Sequence, residues 1–140
     1  MLTPDRLRVE LTRRLDGPHA DEHTGAAADL AAESVRFLNY ATGSHSGAGL
    51  RYPATVYTVT ANLAEAAHRM PQLCDQLTRW LQTELAAGHL ASDDRTPPEV
   101  AVGVAAGRLA EAARLAGLLG DELMAAQSAV SGLNGRGGAR

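Results

Sequence analysis

Two histidines and an acid stand within five residues near the start of the chain, in the run His19-Ala20-Asp21-Glu22-His23. On a helix, positions four apart share a face, so His19 and His23 would offer imidazole nitrogens to one cation while Glu22 activates a bound water. Such a site needs a third ligand from elsewhere. Glu33, Glu65, Glu84, Glu99 and Glu111 all lie downstream, so that requirement selects nothing. The surroundings argue for a plainer role. Gly17-Pro18 directly precedes the run and ends any earlier helix, which puts the histidines on a turn and the first turn of a new helix. There Asp21, as N-cap, and Glu22 are favoured by the helix dipole, each by about 0.3–1 kcal/mol. The expectation is solvated histidines, with no metal and no cofactor.

The run matches H-x-x-E-H and so resembles the motif of the inverzincin zinc peptidases. That resemblance implies His19 and His23 as ligands and Glu22 as base. It covers five residues of 140, and the inverzincins are much larger proteins with an α/β framework. Arg14 and His19 form an R-x-x-x-x-H arrangement similar to that of small helical HEPN ribonucleases, whose pair occupies one bundle helix; here Gly17-Pro18 interrupts it. Ser44, His45 and Ser46 place a histidine where the G-x-S-x-G nucleophile elbow needs serine, and no strand precedes them. No catalytic set emerges, and the chain reads as a non-enzyme.

A second group of hydrogen-bonding side chains surrounds the Gly- and Ser-rich stretch 43–53: Tyr40, His45, Arg51, Tyr52 and Tyr57. Loops on rigid scaffolds often carry binding function, so these residues, together with Trp80 as an aromatic anchor, are the candidate interaction residues. A small ligand- or metal-binding protein or enzyme using this loop or His19, Glu22 and His23 is the alternative from another class. A DNA-associated accessory factor is a further alternative, working through Arg6, Arg8, Arg13 and Arg14. Asp5, Glu10 and Asp16 interleave with those arginines, the recognition end of the next helix would be acidic, and the net charge is −3, all of which disfavour nucleic acid.

The elements that must position these groups are helical. Apolar residues make up 45% of the chain and aromatics only 4%, so a core must come from Leu, Val and Ala, which suits close-packed helices. The single Cys74 excludes an intramolecular disulfide, and its apolar helical setting predicts a buried, inert thiol. No apolar run reaches membrane-span length and the N-terminus lacks the core of a signal peptide, which predicts a cytoplasmic protein with no membrane role.

Caps and periodicity predict an all-α, elongated up-and-down bundle in one domain, 1–133, with a flexible tail at 134–140. Two shorter helices, 3–16 and 20–42, precede a long antiparallel hairpin of 54–87 and 98–133. The first long helix should run through Pro71 with a kink there, and bury Val56, Val59, Leu63, Ala66, Met70, Leu73, Leu77 and Trp80, with Leu81 and Leu85 widening the stripe near its end. The second should bury Ala105, Leu109, Ala112, Ala116, Leu119, Leu123, Ala126, Val130 and Leu133, with Gly103 and Gly107 clearing a face for a neighbour. The shorter helices are expected to cover the flank that includes Leu115 and Leu118. Small helical-hairpin secretion proteins with a W-x-G turn look similar in outline, but no W-x-G occurs here. Two uninterrupted seams predict an interaction or adaptor protein with protein partners, a homo-oligomer that self-associates through those seams.

Overall fold

A computed structural model of the chain describes residues 15, 17–43 and 49–135. Among them lie three helices and no strand: α1 (Asp21–Thr42), α2 (Pro53–Ala86) and α3 (Pro98–Val130). The all-helical class is the one expected, and α2 and α3 are the two long helices. Apart from Leu15, which is exposed, the helix expected over 3–16, with Arg6, Arg8, Arg13 and Arg14, lies outside the described residues, as do the last tail residues and His45. The chain divides into two units, one ending at Gly49 and carrying α1, the other beginning at Leu50 and carrying α2 and α3.

In the first unit Gly17 adopts a positive φ of 89°, a backbone conformation open to glycine, in the turn before α1. The N-cap is Ala20, in extended conformation, and not Asp21 as expected; Asp21 is already helical. The Ala20 carbonyl accepts both the Thr24 amide at 3.0 Å and the Thr24 hydroxyl at 3.2 Å, so the helix starts one residue early and without a side-chain cap. Asp21 and Glu22 then sit in the first turn, beside its unpaired amides. No residue of α1 is buried.

In the second unit Pro53 occupies the start of α2, where its missing amide leaves no bond unmade, and Tyr52 before it is extended, as a residue preceding proline is constrained to be. The helix continues unbroken through Pro71. It ends on a Schellman motif. Gly88, with φ 75°, donates its amide to the Leu85 carbonyl, and His89 donates its amide to the Glu84 carbonyl, each at 3.0 Å. The His89 imidazole adds a 2.8 Å contact to the Glu84 carboxylate.

The connection to α3 is held by Asp94, whose Oδ1 accepts the Ser92 hydroxyl at 2.6 Å and the Thr96 amide at 2.9 Å. These bonds, the Ser92 hydroxyl first, hold the Asp94 carboxyl below the ordinary aspartate range. Pro97 is extended and Pro98 opens α3. The two long helices pack closely and antiparallel along their length. His68 meets Asp121, the stretch from Pro71 to Thr78 lies against Ala106 to Ala113, and Val56 shares a concavity with Val130. At 34 and 33 residues each helix is about 50 Å long.

Candidate interaction surface

The seam that joins α2 to α3 is made of small residues. Buried or half-buried positions on α2 recur at alternating steps of four and three: Thr60, Ala64, Ala67, Pro71, Cys74, Thr78, Leu81 and Leu85. On α3 they include Val102, Leu109, Ala113, Ala116, Gly120, Leu123 and Val130. Cys74 is buried in this seam, as expected.

The α2 seam differs from the expected one by a single residue. The stripe of large side chains lies one position earlier in sequence, about 100° around the helix, and much of it is open: Met70 is 45% exposed, Leu73 51%, Leu77 46% and Trp80 59%. On α3 the expected residues Ala105, Leu109, Ala116, Leu123 and Val130 hold, and Leu133 is exposed. Between them Ala112, Leu119 and Ala126 are exposed, and Ala113, Gly120 and Gln127 take their places. The physical reason is approach distance. Ala, Cys and Gly on both sides let the two axes close up, and a pair packed that way has no room for Leu73 or Trp80 between its helices. Among the described residues no neighbouring atom comes within 4 Å of a Cβ built on Gly103 or Gly107, so neither packs against α2. Gly120 does the close packing, because a Cβ there would overlap the His68 imidazole of α2.

These offsets sort the hairpin into two faces. Antiparallel helices reverse the sense of rotation, so positions one residue after the seam fall on the same side of both helices, and positions one residue before it fall on the other side. His68 follows Ala67 and Asp121 follows Gly120, and these two side chains meet, with His68 Nε2 2.9 Å from Asp121 Oδ1. That face also carries Glu65, Gln72, Asp75, Arg79 and Gln82 on α2. The opposite face carries Val59, Leu63, Met70, Leu73, Leu77 and Trp80 from α2, and Val104, Leu115 and Leu119 from α3. Leu115 and Leu119 are half exposed, like their α2 counterparts. The charges on this side are few: Glu84, Arg108 and Glu122. Completing the burial of each half-exposed large side chain is worth on the order of 1 kcal/mol. An apolar stripe of that kind, bordered by polar surface, is the candidate interaction surface of the hairpin.

The other candidate residues are distributed as follows. His19 is exposed in the extended segment before α1, and Glu22 and His23 are exposed in its first turn. Among the described residues no three His, Cys, Asp or Glu side chains group as metal ligands would. Tyr40 belongs to the first unit and Arg51, Tyr52 and Tyr57 to the second. Arg51 and Tyr52 line an open concavity with Pro53, Val56, Val130 and Leu133, at the end of the hairpin where α2 begins and α3 ends. Trp80 is an exposed member of the apolar face. His68, Gly120, Asp121, Arg108 and Glu122 were not singled out by sequence reasoning. The signal for Gly120 was present as small residues recurring at 113, 116 and 120; the cross-helix pair had none, because it depends on the register between helices. Among the described residues no helix is long and apolar enough to cross a membrane. No protein-family model, curated protein or solved structure matches the chain.

Proposed function

We propose that the protein is a non-enzymatic helical interaction protein that works through the apolar face of its hairpin. One observation carries this reading: the large side chains of a sustained heptad, Met70, Leu73, Leu77 and Trp80, stand beside the packed seam and half in solvent. A two-helix hairpin has one seam and one layer, so a second apolar face is completed only by a further helical layer. The polar groups of the hairpin support the same reading, since they pair as an ordinary solvated surface does. Arg79 meets Asp75 at 2.6 Å, and Arg114 holds Glu111 through two bonds of 2.7 and 2.9 Å.

The test replaces Leu73 and Leu77 together by Asp. Both side chains lie off the packed seam, so helix content by circular dichroism should be retained. Uptake of a hydrophobic dye such as ANS, and any association measured by light scattering, should be lost. Association that persists unchanged with two carboxylates on this face contradicts the proposal. Gln72→Asp with Gln82→Asp, on the polar face, is the matched control and should change neither readout.

A further inference from the structure

The geometry points to a second copy of this chain as the occupant of the apolar face, stacked face to face about a two-fold axis that crosses the helices at right angles at the level of Leu115. The inference rests on the interaction reading above and names its partner.

Charge is the first argument. Four arginines lie within α2 and α3, and three are each held by a carboxylate three or four residues away: Arg69 by Glu65, Arg79 by Asp75 and Arg114 by Glu111. Arg108 has no ion-pair partner among the described residues, although it stands on the apolar face, where an unmatched cation is costly to cover. Glu122 stands on the same face and is likewise without an ion pair among the described residues. Arg108 and Glu122 lie seven residues before and seven after Leu115, so all three share one heptad position. An axis through Leu115 lays α3 antiparallel on the partner's α3 and sets Arg108 of each copy opposite the other's Glu122. A two-fold interface needs that self-complementarity, and a foreign helix has no reason to supply it.

Volume is the second. The contacts of His68 with Asp121, and of the Pro71 to Thr78 stretch with Ala106 to Ala113, put Leu115 level with the α2 segment between Met70 and Leu73. The same axis then sets Leu77 against Ala66, Trp80 against Leu63 and Val104 against Ala126, a larger side chain against a smaller one each time, as interdigitated layers require. Area is the third. From Val59 to Trp80 the face runs for about 32 Å along two helices about 8–10 Å apart and each about 10 Å across, which gives roughly 600 Å² per copy, the lower end of the ~600–1,000 Å² per partner of a stable specific interface.

Sedimentation equilibrium of the full chain and its charge variants tests this. The wild type should dimerise. Arg108→Glu and Glu122→Arg should each weaken the dimer about tenfold at low salt, because each puts two like-charge contacts into it, and the loss should shrink at high salt. The chain carrying both changes should regain dimerisation, and the two single variants mixed should pair with one another more tightly than either pairs with itself. A wild-type chain that stays monomeric overturns the second-copy inference; the interaction reading then stands if Leu73→Asp with Leu77→Asp still abolishes dye uptake. A dimer indifferent to the charge changes overturns the inferred axis, and a dimer indifferent also to the two Asp substitutions overturns both readings.

Discussion

Gly120 and His68 show how much one side chain decides at the seam. The imidazole lies over the glycine Cα and reaches Asp121 at 2.9 Å, so a methyl group at 120 forces the ring out and breaks the cross-helix contact. Gly103 lies in the same helix with open space around it. Gly103→Ala should therefore raise stability by about 0.5–1 kcal/mol through helix propensity alone. Gly120→Ala should forfeit that gain and fall at least about 1 kcal/mol below it in denaturant unfolding, with the gap narrowing in a His68→Ala background. Equal effects at the two glycines would contradict the close packing. Asp94 offers a pH test at the same scale. Its folded pKa is depressed by the Ser92 and Thr96 bonds, so the stabilisation of the turn is fully present above the ordinary aspartate pKa and is lost as pH falls through the folded value. Hydrogen exchange at the Thr96 amide should show protection that drops in acid, and Asp94→Ala should remove that pH dependence.

Helix boundaries were legible because prolines and glycines announce them. Pro53 and Pro98 open α2 and α3, and Gly88 closes α2 with a left-handed residue that any Cβ would strain. Gly88→Ala should cost about 1–2 kcal/mol in unfolding experiments while leaving association per folded molecule unchanged, since the motif lies outside the apolar face. Which face of α2 meets α3 was not legible. The helix carries two heptad stripes one residue apart, one of small residues and one of large ones, and periodicity weighs them equally. Bulk favoured Leu73, Leu77 and Trp80 for the core, whereas close approach between two helices favours Ala64, Ala67 and Cys74. The choice depends on Ala113, Ala116 and Gly120 of the partner helix, and a pattern read one helix at a time does not contain it. Of the tyrosine group, Tyr40 falls in the first unit and Arg51, Tyr52 and Tyr57 in the second, while His45 lies outside the described residues.

At the scale of the molecule, the offset between the two stripes leaves the large apolar side chains along one side of the hairpin half exposed. With the small residues inside, a stripe of Leu, Met, Val and Trp stays half exposed along one face. Trp80 is the sole tryptophan, stands on that stripe and is 59% exposed, so it reports on the face without any substitution. The most direct test is its fluorescence across a dilution series, read as emission maximum and acrylamide quenching alongside the sedimentation mass. The second-copy account predicts a blue-shifted, protected Trp80 at high concentration that becomes red-shifted and quenchable as the dimer dissociates. A Trp80 that stays fully quenchable while the chain sediments as a dimer would contradict it.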